Sequence, residues 1–231
     1  LLKDYLTESA QAIAEAAVAH RASLIHASSF YATGLPAADA AAALGLPFVY
    51  EMRGSEDLMR SAAYQPYPTS TDGRYLIDAE TEVCRRADHV LVIPQALLEE
   101  MVRRGIPREK MSVVPNGVHV ADFQPISRDT ALAAELGFED KVVIGYVGGF
   151  PHYEGLPLLV RAAAALKKRR QDFAVVLVGD GQQDGSLRRE VAALGLEEDV
   201  IFTGRVPHDQ VQRYLSLIDV TPFPRLPLEV C

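Results

Sequence analysis

The chain has 231 residues, 48% hydrophobic and 23% charged, with a formal net charge of −8. Its apolar residues come in separated bursts, which excludes a disordered chain, and the acidic balance excludes a broad nucleic-acid surface, which needs clustered positive charge. No apolar run approaches the roughly 20 residues that span a bilayer, and the start shows no secretory pattern.

The predicted elements alternate along the chain. Residues Thr7 to His20 read as a helix and Ser23 to Ala27 as a buried strand, ended by a region where His26 reads as a core histidine. Pro36 to Leu44 is a helix stopped by Gly45, and Pro47 to Glu51 the next strand. Residues 52–73, rich in Tyr, Pro, Ser and Thr, read as a long loop or lid, with a disordered surface excursion as the alternative. Order resumes with a helix from Arg74 to Ala87, a strand from His89 to Ile93, a helix from Gln95 to Arg104 and a strand from Met111 to Val114.

Residues 118–140 interrupt this rhythm with a connection that holds a short helix, Asp129 to Leu136. A second series follows. Its strands are Val142 to Val147, Ala174 to Val178, Val200 to Phe202 and Asp219 to Thr221; its helices are Leu156 to Arg170, Ser186 to Leu194 and Asp209 to Leu217. Strands apolar on both faces, alternating with helices, predict an α/β chain of two Rossmann-like parallel-sheet domains, 1–125 and 126–231, with a cleft between them. Neither end coincides with a domain edge, so flanking segments are expected on both sides, both domains are expected to be incomplete, and the chain by itself is expected to be inactive.

Cys84 and Cys231 make no metal-type spacing and no disulfide framework, which suits a reducing cytoplasm. The dense basic run Lys167 to Arg170 reads as the solvated end of a helix, with peripheral contact to an anionic inner-membrane surface as the alternative.

In open α/β sheets, ligands bind beyond the carboxyl ends of the strands. Three glycine-bearing turns of the second series stand there: Gly148-Gly149, Gly179-Asp-Gly181 and Gly204-Arg205. Glycine admits a close backbone approach, and a following helix start favours an anion. Strand-to-helix turns use glycine anyway, so the inference to a phosphate-bearing ligand rests on finding three in one domain. There is no G-x-G-x-x-G, no Walker-type loop, no H-E-x-x-H, no D-x-D and no clustered set of metal ligands.

These strings, in this order, resemble the GT-B-fold glycosyltransferases of family 4. Val113-Val-Pro-Asn-Gly-Val118 with Phe123 is similar to the family's interdomain segment, which places Asn116 and Gly117 between the domains. Val147-Gly-Gly-Phe150 with Glu154-Gly155-Leu156 resembles its diphosphate-side loop; Val176 to Gly181 and Val200 to Pro207 resemble the next two strands and loops. Asp219 to Pro224 resembles the strand before the family's acidic motif, and Glu229 lies close to that motif. Tyr50 to Arg53 and Tyr153-Glu154-Gly155 are similar to a subgroup associated with bacterial exopolysaccharide production.

The resemblance implies transfer of a sugar from a nucleotide-diphosphate donor to a hydroxyl acceptor, a glycan or lipid-linked saccharide, with retention of configuration and no metal or other cofactor. It implies donor-binding roles for Gly148, Gly149, Phe150, Glu154, Gly155, Gly179, Gly181, Arg205, Val206, Arg225 and Glu229, and catalytic-side positions for Glu51 and Arg53. Two departures stand out. Where the family carries an Arg and a Lys on the donor diphosphate, this chain has Gly149 and Glu154, and a carboxylate repels a diphosphate at short range. Either backbone N–H groups with Arg53, Arg205 or Arg225 meet the donor charge, or Glu154 faces a donor hydroxyl. A histidine common after the second strand is replaced by Arg53. Two rivals stay open: a sugar-nucleotide epimerase of the same fold, and a module that holds a nucleotide and transfers nothing.

Overall fold

The strand–helix alternation is realised as two separate parallel sheets, four strands in the first and three in the second. The computed structural model describes residues 2–64 and 66–228. They form two units that divide between Gly117 and Val118, ahead of the expected division after residue 125. The reason lies in what residues 118–125 touch: the Phe123 ring lies edge-on to His208 with centroids 5.3 Å apart, and the Gln212 amide donates to the Gln124 carbonyl.

In the first unit, β1 (Ile25–Ser28), β2 (Phe48–Met52), β3 (His89–Val92) and β4 (Met111–Val113) lie side by side in chain order, each parallel to the next. Phe48, Tyr50, Met52, Val90 and Val92 point into one core, while the residues between them are only half-buried. The expectation of strands apolar on both faces therefore fails for this sheet, because the alternate positions include His26, Glu51 and His89. The helices are α1 (Leu2–Ala19), α2 (Tyr31–Leu44), α3 (Glu56–Ala63), α4 (Thr71–Arg86) and α5 (Gln95–Arg103).

Two boundaries differ from expectation. Helix α2 starts at Tyr31 and carries Pro36 inside it; a proline usually marks a helix start, but here the turn before it is held by Tyr31 N, which donates to Glu80 Oε1 at 2.5 Å, and by the Thr33 hydroxyl, which donates to the Phe30 carbonyl at 2.8 Å. At Gly34 a Cβ would come within 2.5 Å of Val83, so the small residues let α2 lie close against α4. Residues 52–73 are not a loop or lid: they hold α3, a single turn at Tyr67–Thr69 and the start of α4. What fixes α3 is Asp57, buried against Arg104 47 residues away, with Nη2 to Oδ2 at 2.7 Å.

In the second unit, β5 (Val142–Val147), β6 (Phe173–Val178) and β7 (Val200–Gly204) form a sheet in that order. Every residue of β6 is buried, so this strand meets the both-faces expectation. One face packs under α7 (Leu156–Lys167) and α8 (Asp184–Ala193), the other against α6 (Thr130–Glu135) and residues preceding and following α9 (Val211–Leu215). The expected strand 219–221 is a single bridge, Val220 to Ile144, with Gly145 N donating to the Val220 carbonyl at 2.9 Å. Pro222 and Pro224 follow and cannot donate to a ladder. Helix α7 stops at Lys167, whose ammonium donates to Asp199 at 2.6 Å and to the Gly195 carbonyl at 2.8 Å, and Arg170 is forked on Asp172. Two of the four charges in the basic run are thus engaged within the unit. No described helix is long and apolar enough to cross a membrane.

Candidate functional site

The carboxyl ends of β5, β6 and β7 are hydrogen-bonded to one another through their turns. Gly148 N donates to the Val178 carbonyl and Gly179 N to the Gly204 carbonyl, both at 2.9 Å. Phe150, fully buried, donates its N–H to Asp180 O at 2.9 Å and accepts from Gln183 N at 3.1 Å. This closeness demands glycine. A Cβ on Gly179 would stand 1.9 Å from the Gly148 carbonyl oxygen, and its φ of +132° disfavours other residues; a Cβ on Gly181 would stand 2.6 Å from Phe150 N.

The turns enclose a concavity of about 210 Å³, lined by Gly148, Gly149, Gly179, Asp180, Arg205 and Val206 among others. That is room for a phosphate-sized part of a ligand and less than the roughly 300–1,000 Å³ of a whole small-molecule site. Arg205 is exposed, with Nη2 3.3 Å from Asp180 Oδ1.

Glu154 lies elsewhere on the same turn. It is buried at 7% exposure and held by Arg225, Nη2 to Oε1 at 3.0 Å and Nε to Oε2 at 3.2 Å. The Glu154 carboxylate is therefore paired with a cation of the same chain. Gly155 starts α7 at φ +69°, and a Cβ there would stand 2.0 Å from the Pro224 carbonyl oxygen. Tyr146, whose hydroxyl donates to the Gly149 carbonyl at 2.9 Å, has its pKa pushed up to about 12 by burial first and by the neighbouring Glu154 carboxylate second.

In the first unit, Glu51 at the end of β2 sits 3.3 Å from His26 Nε2 and 3.7 Å from Arg53 Nε. His26 is not the expected core histidine: it points to the less covered face of β1, with its side chain 43% exposed. Asn116 and Gly117 are exposed in the stretch after β4. Glu229 lies outside the described residues.

Sequence reasoning passed over three groups. Tyr146 has a polar tip in an apolar strand run, and Asp180 stands between two singled-out glycines. Glu80 interrupts the α4 stripe of Leu76, Ala79, Val83 and Cys84, a legible signal, and is 1% exposed. It accepts from Tyr31 N at the start of α2 and contacts the Tyr50 hydroxyl at 3.0 Å. Burial raises its pKa.

The first unit matches the family model of the glycosyl transferase 4-like domain over residues 3–117, and the second matches the glycosyl transferases group 1 model over residues 127–229. The chain belongs to the group 1 glycosyltransferases. Among its curated relatives are two proteins of Streptomyces kanamyceticus. The 2-deoxystreptamine glucosyltransferase is 28% identical over 80% of this chain and 48% of its own length; the alpha-D-kanosaminyltransferase is 29% identical over 78% and 47%. This group 1 chain thus spans about half the length of the curated relatives it matches. The crystal structure of Anabaena Alr3699/HepE in complex with UDP superposes with a TM-score of 0.77 at 21% identity, covering 95% of this chain and 57% of that one. At that identity the likeness shows the fold, GT-B.

Proposed function

We propose that this chain takes part in transferring a sugar from a nucleotide-diphosphate donor to a hydroxyl acceptor, with the donor diphosphate at the glycine turns of the second unit. The observation that carries the reading is the set of turns at β5, β6 and β7, packed so closely that no side chain fits at Gly179 or Gly181, around a concavity bordered by Arg205. Such turns bring backbone dipoles, in place of side chains, up to an anion. UDP in the HepE complex and the transferase relatives support the donor class.

The chemistry asked of such a site is mainly electrostatic. It holds donor and acceptor together and stabilises charge growing on the departing diphosphate. Arg205 suits the second task, since a planar guanidinium engages two phosphate oxygens at once. On this reading Arg53, tethered to Glu51, supplies the charged group of the first unit, and configuration at the sugar is retained.

Calorimetric titration of UDP, inorganic pyrophosphate and uridine tests the donor site: UDP and pyrophosphate should bind, uridine far more weakly, and equal binding of all three would remove the diphosphate from the site. Turnover of a labelled UDP-sugar separates a transferase from an epimerase, which leaves sugar and nucleotide joined, and from a binding module, which converts nothing. In a form of the protein that is active in transfer, Arg53→Ala should lower transfer about a hundredfold with an unchanged melting temperature. Wild-type transfer in that variant would leave the first unit without an assigned group.

A further inference from the structure

Strand β5 reads Val-Val-Ile-Gly-Tyr-Val, and of its side chains only Tyr146 carries a polar atom. The ring is buried in the core under α7 and α8, its centroid 6.1 Å from that of Phe150. Packing there asks for a phenyl ring, so the hydroxyl needs an account of its own: once buried, it must find a partner. It stands 3.1 Å from the place a Cβ of Gly148 would take and donates to the Gly149 carbonyl at 2.9 Å. A hydroxyl has one proton to give. The neighbouring Glu154 carboxylate, a rival acceptor, has both oxygens engaged by Arg225. With the Tyr146 pKa pushed up to about 12, first by burial and then by the Glu154 charge, the donor keeps its proton near neutral pH.

The peptide between Gly149 and Phe150 is thereby held at both ends. Its carbonyl accepts from Tyr146, and its N–H donates to the Asp180 carbonyl at 2.9 Å. In a trans peptide these two groups point in opposite directions. Tyr146 belongs to the core, while Gly149 and Asp180 line the concavity. Gly149 is exposed and has no side chain to fix this peptide, and a Cβ there would meet nothing nearer than 3.8 Å. The hold must come from outside the residue, and the Tyr146 hydroxyl supplies it.

We infer that Tyr146 is a positioning residue for donor binding: its hydroxyl holds the Gly149 carbonyl oxygen on the core side of the turn, so that this peptide turns the positive end of its dipole toward the donor diphosphate. The inference rests on the donor-site reading above. Without the hydroxyl the carbonyl is a buried acceptor that has lost its partner. The peptide then tilts its oxygen toward water in the concavity, where it meets phosphate oxygens with a partial charge of the same sign.

Tyr146→Phe removes the hydroxyl and keeps the ring. Pyrophosphate, UDP and uridine are titrated into the full chain, into Tyr146→Phe and into Val191→Ala, a core substitution of the same unit that lines no part of the concavity, with thermal melts of each. Pyrophosphate and UDP affinity should fall about tenfold in Tyr146→Phe, with uridine unchanged. Val191→Ala should lose at least as much melting temperature and keep its pyrophosphate affinity. Amide exchange should quicken at Phe150 in Tyr146→Phe while the Gly148 and Gly179 amides keep their protection. Wild-type pyrophosphate affinity in Tyr146→Phe, or an equal loss of affinity in Val191→Ala, overturns the inference and leaves the donor site standing. If the unaltered chain binds neither UDP nor pyrophosphate, the donor-site reading falls and this inference with it. Should Tyr146→Phe fail to fold, the unaltered chain decides the matter: saturating pyrophosphate should slow exchange of the Tyr146 hydroxyl proton and of the Phe150 amide, the two ends of the held peptide, and unchanged rates overturn the inference.

Discussion

Gly179 shows how a single residue decides what the second unit can hold. Its φ of +132° and the 1.9 Å gap to the Gly148 oxygen combine two penalties at one position. Gly179→Ala should cost about 1–3 kcal/mol in backbone strain alone and lower UDP affinity at least tenfold by forcing the two turns apart. Gly195 has φ +64° with open space around it. Gly195→Ala should therefore cost about 1–2 kcal/mol and leave UDP affinity unchanged. Calorimetry and chemical unfolding of both variants check the contrast, and a parallel loss of affinity in both would detach Gly179 from the site.

Glu80 makes the opposite point, that a buried acid can serve structure. Burial is the leading cause of its raised pKa, Asp57 adds to it, and Arg104 with the hydrogen bonds from Tyr31 N and the Tyr50 hydroxyl acts the other way. A carboxyl whose pKa is raised on folding contributes stability that is complete below its unfolded value and is lost as pH rises through the folded value. Glu80→Gln keeps an acceptor for Tyr31 N and a donor for Tyr50 and does not titrate. Its stability relative to the unaltered chain should rise from pH 5 to pH 8, measured by urea unfolding at both. A constant difference across that range would show that Glu80 does not titrate there.

At the scale of elements, α3 is held less by its own turns than by one ion pair. The Asp57 and Arg104 side chains are 3% and 10% exposed; Glu100 takes Arg104 Nε at 2.7 Å and Ser55 donates to Asp57 at 2.6 Å. Breaking a buried pair strands the remaining charge. Asp57→Ala should destabilise the first unit by about 3–5 kcal/mol, while Asp57→Ala combined with Arg104→Met should recover a part of the loss. Unfolding curves that show the two substitutions to be additive would mean that the contact contributes nothing of its own. The local sequence carried some signal for α3: Ser55 in a capping position, Glu56 and Asp57 in the first turn. What it lacked was the partner, placed by the packing of α5. The same holds for the end of the chain's described part, where Val220 makes one bridge because prolines follow.

Across the whole molecule, each unit has its own apolar interior. Met101 is fully buried in the first and Leu177 in the second. Met101→Ala should cost about 2–5 kcal/mol and speed amide exchange in β1–β4 while the amides of β5–β7 keep their protection. Hydrogen exchange read strand by strand checks this, and faster exchange in both sheets alike would show one cooperative unit.

The sequence by itself determined the parallel α/β plan, because strand and helix periods and glycine stops are local properties written every few residues. It also determined the glycine turns at the strand ends, since the order strand, glycine, helix leaves them nowhere else to go. Only the tertiary structure decided the partners of charged side chains. Glu154 with Arg225, Asp57 with Arg104 and Glu51 with His26 are contacts between segments distant along the chain or on neighbouring strands, and Coulomb attraction acts on separation in space. For the same reason Glu154, which in sequence stands only as an obstacle to a diphosphate, becomes in the fold the partner of an arginine 71 residues further on.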